Sequence, residues 1–211
     1  MPGGTDTLPS SPPRVSSLRA RPRELVEVEL EGEPWRTLPA EVILRSGLDL
    51  GVELDRPRAR RVRRELRRHE AMARAAAVLR RRDMSRAELA DRLERAHVDP
   101  ATRAEVVGRL NDSGAVDDAR FAEQRARALS ERNAGDLLIR HDLCGRGISA
   151  ETVEAAIEAL EPEMARAARV VERRGAGAKT ARYLAGKGFS EDAIELACGE
   201  AVAEDAPPAV F

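Results

Sequence analysis

The sequence predicts a mainly α-helical protein built from tandem three-helix repeats of a helix-turn-helix-like kind, preceded by a small β-hairpin module. From Arg58 onward, apolar residues recur at helical spacing, and proline interrupts the pattern only at Pro100, Pro162 and Pro207-Pro208. The same region contains an internal repeat of about 41 to 50 residues. Closer to the N-terminus, apolar and acidic residues alternate, which is typical of a half-buried strand.

The N-terminal region is predicted to contain a tail and a small module. Residues 1–23 are rich in Pro, Ser, Gly and Arg and hold little for a core to bury, so we expect a disordered tail. Residues 24–56 are the predicted β module. Its elements are a strand over Leu25 to Glu31, a returning strand over Trp35 to Leu38, and a short helix over Pro39 to Arg45 that Gly47 closes.

The rest of the chain is predicted to be helical. Arg58 to Arg82 forms a long amphipathic helix, because Val62, Leu66 and Leu79 lie near one face and arginines cover the other. This helix opens the first repeat. The predicted boundaries are 57–114 for the first three-helix repeat, 115–162 for the second, 163–204 for the third, and 205–211 for a C-terminal tail.

The repeats align where one helix ends and the next begins. Gly147 and Gly188 stand where a helix must close in a left-handed residue, which glycine adopts without steric cost. The hydrophobic residue that follows is expected to fold back on the leucine five positions earlier. His97 replaces the glycine in the first repeat, which predicts a less stable helix end there. The aligned sets are Leu93, Leu143 and Leu184; Val98, Ile148 and Phe189; and Asp99, Ser149 and Ser190.

Polar residues after these turns are predicted helix N-caps. Asp99, Ser149 and Ser190 each stand one residue before a helical pattern, where a side-chain oxygen satisfies a free backbone N–H. Ser85 and Glu88 have the spacing of a capping box. The pair Asp117-Asp118 is predicted to cap the first helix of the second repeat. Capping therefore explains these polar residues without invoking chemistry.

Charge is balanced in total but not along the chain. The 36 basic residues nearly cancel the 37 acidic ones, yet residues 56–82 contain twelve Arg and two Glu, and residues 163–188 carry a net charge of +5. Two interpretations of the first block stay open: a solvated face in an arginine-rich protein, or a positive stripe that faces phosphates or an acidic protein. Arg146 and Lys187 occupy the same repeat position beside the glycine turn, which favours a shared role.

No motif predicts an enzyme, a metal site or a cofactor site. Gly175 to Thr180 is similar to a phosphate-binding loop, but its spacing is wrong and an arginine-rich helix precedes it, so we predict an inter-helix loop. The three histidines share no ligand spacing with Cys144 or Cys198. Without a CxxC pair, the cysteines indicate a reducing, cytoplasmic compartment. Neither a membrane span nor a secretory signal is predicted, because the required apolar runs are missing.

At this point the motifs resemble a known family. Gly114 to Ala122, with the sequence GAVDDARFA, is similar to the signature of RecX-type regulators of the RecA recombinase. The turns Leu143 to Ile148 and Tyr183 to Phe189 are similar to the corresponding RecX turns. The resemblance extends over roughly residues 24–203 and departs from the family pattern at His97.

The resemblance implies an elongated, curved array of repeats that binds along the groove of the RecA–DNA filament. Such proteins lower the ATPase, strand-exchange and co-protease activities of RecA, and so affect DNA recombination, DNA repair and the SOS response. Binding without catalysis is implied, with no cofactor. We expect a cytoplasmic monomer that makes at most weak direct contact with single- or double-stranded DNA. The residues predicted to face RecA or DNA are Arg60, Arg61, Arg64, Arg68, Arg80, Arg81, Arg140, Arg146, Arg182 and Lys187.

Two other functions stay open on the sequence. Three-helix units with a turn glycine resemble helix-turn-helix proteins, so the chain could be a stand-alone DNA-binding regulator. Its recognition helix would need Arg, Asn or Gln, whereas Thr152 to Leu160 and Asp192 to Val202 are acidic. The other alternative is a purely structural helical adaptor for unrelated partners.

Overall fold

The computed structural model describes residues 11–199 and confirms the mainly helical fold with a β module on its N-terminal side. The chain divides into two compact units. Unit 1 is Met1–Ala77 with His97–Val106, and unit 2 is Val78–Ala96 with Val107–Phe211. The described elements are β1 (Val15–Arg21), β2 (Leu25–Leu30), β3 (Glu33–Pro39), α1 (Ala40–Ser46), α2 (Arg56–Leu79), α3 (Arg86–Arg95), α4 (Pro100–Asp112), α5 (Asp118–Ser130), α6 (Asp136–Cys144), α7 (Ala150–Glu158), α8 (Glu163–Arg174), α9 (Ala178–Ala185) and α10 (Glu191–Cys198).

The predicted disordered tail is wrong for its second half, because β1 lies within it. This strand pairs antiparallel with β2, which also pairs with β3, so the module is a three-stranded sheet rather than a hairpin. Val15 is buried, and the arginines of β1 meet the acidic face of β2, as in the pair Arg19–Glu29 at 3.1 Å. Cross-strand pairs of opposite charge stabilise such a polar strand. Residues 1–10 and the predicted tail at 205–211 lie outside the described residues.

Unit 1 has its own hydrophobic core between the sheet and two helices. Val28 of β2 and Leu38 of β3 are buried against Val42 of α1 and Val62 of α2. The predicted closure of α1 by Gly47 is confirmed, since this glycine is left-handed with a φ of 68°. The long helix α2 therefore does more than carry charge: its apolar face completes the core of the β module.

Unit 2 contains two further cores, one for each of the later helix triplets. The core of α5, α6 and α7 is built around Ile139, Leu143 and Val153. The core of α8, α9 and α10 is built around Leu184 and Phe189. The two triplets fall within the predicted second and third repeats, and we use those terms for them below.

The predicted helix ends are confirmed. Gly147 has a φ of 72°, and the N–H of Ile148 donates to the carbonyl of Leu143 at 3.2 Å, as a Schellman turn requires. The third repeat has the same bond at the same length after Gly188. His97 is also left-handed, with a φ of 58°, although its side chain makes this conformation costly.

The predicted N-caps are confirmed as well. Each cap side chain accepts a hydrogen bond from the backbone N–H three residues later, and Ser85 forms the complete capping box with Glu88. Asp117 is the cap of α5, whereas Asp118 accepts a hydrogen bond from the backbone N–H of Arg86 at the start of α3. The remaining caps and their donors are Ser149 with Thr152, Ser190 with Ala193, and Asp99 with Thr102.

The start of α3 is held by residues of the second repeat, in a contact that we call the first joint. The backbone N–H of Arg86 donates to Oδ1 of Asp118 at 2.8 Å. The Ser85 hydroxyl donates to the carbonyl of Arg146 at 2.6 Å. A Cβ added to Gly147 would lie 2.4 Å from a side-chain atom of the first turn of α3, so this turn admits only glycine.

The start of α6 is held by the third repeat in the same way, in what we call the second joint. The backbone N–H of Asp136 donates to Oε1 of Glu163 at 2.7 Å. The N–H of Gly135 donates to the carbonyl of Lys187 at 2.8 Å, and a Cβ on Gly135 would lie 2.2 Å from the carbonyl oxygen of Gly188. In both joints, an acid at the first position of the first helix of one repeat caps the first N–H of the second helix of the preceding repeat.

Candidate functional site

The exposed arginines of α2 are the first candidate interaction surface. Helical spacing turns Val62 and Glu65 inward, and this leaves Arg60, Arg61 and Arg64 on the exposed side. Within residues 11–199, neither Arg60 nor Arg61 has an ion pair. Arg64 lies 3.6 Å from the carboxylate of Glu65, but 65% of its side chain stays exposed. We call Arg60, Arg61 and Arg64 the α2 arginine surface.

Arg68 does not belong to that surface, which corrects the sequence prediction. Its side chain is 11% exposed and forms ion pairs with Glu65 and with Glu105, the second at 3.2 Å. A guanidinium buried between two carboxylates neutralises them and is unavailable to a phosphate. Arg68 therefore has a structural role in unit 1.

Arg80 and Arg81 follow the last residue of α2 and belong to unit 2. Both are exposed in the turn before α3. Within the part of the chain that the structure describes, neither has an ion pair. Their contact with RecA or DNA stays a prediction.

Arg140 is predicted to face a partner but is bound to Glu154. Its Nε and Nη2 donate to the two carboxylate oxygens, both at 2.7 Å. This bidentate geometry lowers the pKa of Glu154 and raises that of Arg140. The structure therefore satisfies this guanidinium within the second repeat.

Arg146 is the clearest correction among the predicted contact residues. Its Nη1 donates to Oε1 of Glu88 at 2.6 Å, and its Nε donates to Oδ2 of Asp142 at 2.8 Å. Arg125 also binds Asp142, through two hydrogen bonds of 2.9 and 2.8 Å. Hydrogen bonds from Arg125 and then Arg146 hold the pKa of Asp142 well below its usual range. Arg146 is therefore part of the first joint. Lys187, at the equivalent repeat position, lies near the ring of Tyr183 instead.

The third repeat carries a second candidate surface. Arg182 is exposed on α9, without an ion pair to any residue of the described range. The Nζ of Lys187 lies 5.8 Å from the ring centroid of Tyr183, and the guanidinium of Arg174 lies 4.0 Å from it. Both distances fall within the range of cation–π attraction. We call Arg174, Arg182 and Lys187 the third-repeat basic surface.

Neither Arg174 nor Tyr183 was predicted as a contact residue, and Tyr183 was expected only as part of a RecX-like turn. They lie on neighbouring helices, α8 and α9, and only the packing of those helices brings the ring and the guanidinium together. The sequence also missed Arg166, which is buried and donates to the carbonyl of Ala134 at 2.7 Å across the second joint. An arginine on an amphipathic helix gives no local sign that it will be buried.

The glycine-rich segment before α9 is an inter-helix loop, as predicted. It links α8 to α9, and the Thr180 hydroxyl donates to the carbonyl of Gly175 at 2.8 Å. The loop borders a cavity of about 310 Å³ that Arg174 and Lys179 also line.

Residues 11–199 contain no group of three His, Cys, Asp or Glu side chains placed to hold a metal ion. Over the same residues, no helix is both long and apolar enough to span a membrane.

Comparison with known proteins identifies the family. The model of the second three-helix domain of RecX matches residues 117–157, which cover α5 to α7. The regulatory protein RecX of Halorhodospira halophila is 32% identical over 138 residues, which cover 61% of this chain and 86% of that protein. The chain belongs to the RecX family. The RecX protein of Deinococcus radiodurans is 32% identical over 163 residues, or 72% of this chain and 78% of the relative.

Solved RecX structures share the fold. The crystal structure of a regulatory protein RecX matches with a TM-score of 0.77 at 18% identity, and the match covers 88% of this chain and 98% of that one. RecX from Lactobacillus salivarius matches with a TM-score of 0.57 at 21% identity, over 64% of this chain and 96% of that one. At these identities the likeness concerns the fold of this RecX-family chain.

Proposed function

We propose that this protein regulates the RecA recombinase by binding the RecA–DNA filament and lowering its ATPase, strand-exchange and co-protease activities. The observation that carries the proposal is the match with regulatory RecX proteins over 86% of the length of one relative. Binding to the filament would place the protein in the cytoplasm and link it to DNA repair, recombination and the SOS response. Regulation by binding requires neither a catalytic residue nor a cofactor.

The charge layout supports binding to a mixed surface. A protein-coated DNA filament presents both phosphates and carboxylates, and arginines without intramolecular partners bind either group. The α2 arginine surface provides exposed cations in unit 1, and the third-repeat basic surface provides cations without a carboxylate partner among the described residues of unit 2. Attraction of this kind also raises the association rate, in a salt-dependent manner.

The third helices of the second and third repeats weigh against sequence-specific DNA reading. In a helix-turn-helix protein the recognition helix enters the major groove with side chains that bind base edges. Here α7 carries Glu151, Glu154 and Glu158 and no basic residue, and α10 carries Glu191, Asp192 and Glu195. Phosphates would repel both helices, which favours the RecA proposal over a stand-alone DNA-binding regulator.

The test is the DNA-dependent ATPase of RecA filaments on single-stranded DNA, titrated with this protein. Three double charge reversals change the net charge by the same amount. They distinguish the loss of a particular contact surface from a general effect of net charge on binding. Arg60→Glu with Arg61→Glu reverses two charges of the α2 arginine surface, and Arg182→Glu with Lys187→Glu reverses two charges of the third-repeat basic surface. The matched control is Arg127→Glu with Arg132→Glu, at two exposed arginines of the second repeat.

We expect the wild type to inhibit the ATPase. At low salt, the two surface variants should need about tenfold more protein for half-inhibition, and the control less than about twofold more. Absence of inhibition by the folded wild type would refute the proposed function. Equal inhibition by all three variants would instead refute the proposed surfaces. Tight, salt-dependent binding of the wild type to bare duplex DNA, without an effect on RecA, would favour the helix-turn-helix alternative.

A further inference from the structure

Four arginines of α2 lie in a row along the exposed side of the helix. Successive helical residues are turned by about 100° around the axis and advance by about 1.5 Å. The members of the row follow one another after four, three and four positions. They therefore lie within an arc of about 60° and extend over about 16 Å, until Glu70 ends the row. We call them the α2 arginine row: Arg56, Arg60, Arg63 and Arg67.

The opposite side of α2 fixes this row in place. Val62 is buried in the core of the β module, and Leu66 packs against the same core. Arg68 is bound to Glu65 and Glu105 within unit 1. Because the helix is anchored by these contacts, the backbone positions of the row are fixed relative to one another. A ligand that binds the row orders only side chains, which lowers the entropic cost of binding.

The row is open to a partner. All four arginines are exposed, and the part of the chain that the structure describes holds no ion-pair partner for Arg56, Arg60 or Arg63. Arg67 lies 3.7 Å from the carboxylate of Asp99, and 60% of its side chain stays exposed. An exposed ion pair at this distance is weak, so Arg67 can bind another anion instead.

The surface around the row is charged and carries no large apolar side chain. The large apolar side chains that are exposed among residues 11–199 all lie outside α2. The centre of a protein–protein interface is depleted of charged residues and enriched in aromatic ones. Interfaces with nucleic acid are more polar and much more positively charged. The composition of this surface therefore favours a chain of phosphates over an acidic protein as its partner.

The spacing of the row favours one flexible strand over a duplex. Its steps are about 4.5 to 6 Å along the helix axis. A strand carries one phosphate per nucleotide, about 3.4 Å apart along the axis of B-DNA and farther apart when the strand is extended. In a duplex the phosphates of each strand wind around the axis and leave a straight row after a few contacts. A single strand can extend along the whole row and place one phosphate at each arginine.

We propose that the α2 arginine row binds the sugar–phosphate backbone of single-stranded DNA, with one phosphate at each guanidinium and no contact with a base. Guanidinium groups bind phosphate oxygens through charge-assisted hydrogen bonds. Such contacts position a strand without reading its sequence. The contact deepens the proposed function and rests on it, because the strand is the one in the RecA–DNA filament. Arg61 and Arg64 belong to the α2 arginine surface but lie off the row, so this contact does not require them.

The experiment measures binding of the full chain to a fluorescein-labelled thymidine oligomer, by fluorescence anisotropy at several salt concentrations and without RecA. The row variant is Arg60→Gln with Arg63→Gln. The matched control is Arg61→Gln with Arg64→Gln, which removes the same charge at the same spacing but about 100° around the helix. All four arginines are exposed, and glutamine favours a helix about as well as arginine, so both variants should fold. Circular dichroism with thermal unfolding checks this.

The slope of log affinity against log salt concentration reports how many phosphates are bound. Each contact with a single strand contributes about −0.7 to this slope. We expect the slope of the row variant to be shallower than that of the wild type by about 1.4, and the control to stay within about 0.3 of the wild type. Between about 50 and 200 mM salt, the affinity of the wild type should then fall about sevenfold more than that of the row variant.

Four results would overturn the inference. Equal changes of slope in the two variants would mean that overall charge explains binding. A row variant that loses RecA inhibition but keeps the wild-type slope would mean that the row contacts acidic protein. Tighter binding to a duplex of the same length would exclude the single strand. A wild type that inhibits RecA without a row-dependent slope would refute this inference alone, whereas a row-dependent slope without RecA inhibition would refute the proposed function alone.

Discussion

Gly135→Ala tests whether the second joint is as closely packed as the structure indicates. Gly135 precedes α6, and its N–H donates to the carbonyl of Lys187 at 2.8 Å. The added Cβ would lie 2.2 Å from the carbonyl oxygen of Gly188 and from the N of Phe189. Those atoms are backbone and cannot rotate away, so the third repeat must shift relative to α6.

The cost follows from three contributions. Overpacking against backbone destabilises by about 1–3 kcal/mol. The shift weakens two hydrogen bonds, from Gly135 to Lys187 and from Leu137 to Gly188 at 3.0 Å, each contributing about 0.5–1.5 kcal/mol. Alanine recovers about 0.4–1 kcal/mol by reducing the conformational freedom of the unfolded chain. We therefore expect the free energy of unfolding to fall by about 2–4 kcal/mol.

The assay is urea unfolding followed by far-UV circular dichroism, with Gly108→Ala as the control. Gly108 lies inside α4, and a Cβ there meets no atom within 4 Å. The control should gain about 0.5–1 kcal/mol, because alanine favours a helix interior over glycine. Hydrogen exchange should locate the Gly135→Ala effect, with faster exchange at the start of α6.

One result would refute the reasoning. If Gly135→Ala unfolds within about 0.5 kcal/mol of the wild type, the joint tolerates a methyl group and is not closely packed. Equal losses in Gly135→Ala and Gly108→Ala would also refute it, because the cost would then be unrelated to the joint.

Two other predictions concern the pH dependence of unfolding and a helix end. The pKa of Asp142 is lowered by Arg125 and Arg146, so its stabilisation is full above the unfolded-state pKa of about 3.9 and is lost as pH falls toward the folded-state value. Asp142→Asn should lower the free energy of unfolding at pH 7 by about 2 kcal/mol and flatten its decline below about pH 4, measured by urea unfolding across pH; a parallel decline in both proteins would contradict this. His97→Gly should raise the free energy of unfolding by about 0.5–1 kcal/mol, because glycine adopts the left-handed φ of 58° without strain. Unchanged thermal and urea midpoints would show that His97 makes a compensating contact.

Much of the helical architecture was predictable because its signals are local. A Schellman turn links residues at most five apart, and an N-cap links residues three apart, so Gly147 and Ser149 predict their own conformations. The β1 strand was not predictable in this way. Its pairing with β2 depends on the acidic face of another strand, and its own composition resembles that of a tail.

The same distinction applies to the candidate surfaces. Local patterns predict the helix repeat, its caps and turns, the uneven charge and the resemblance to RecX. Which arginines are available depends on packing, because a guanidinium is neutralised by whichever carboxylate lies against it. Arg146 meets Glu88 from 58 positions away, and Arg68 meets Glu105 from 37. Arg60 and Arg61 stay exposed and without an ion pair within the described residues, although their local sequence resembles that of Arg68.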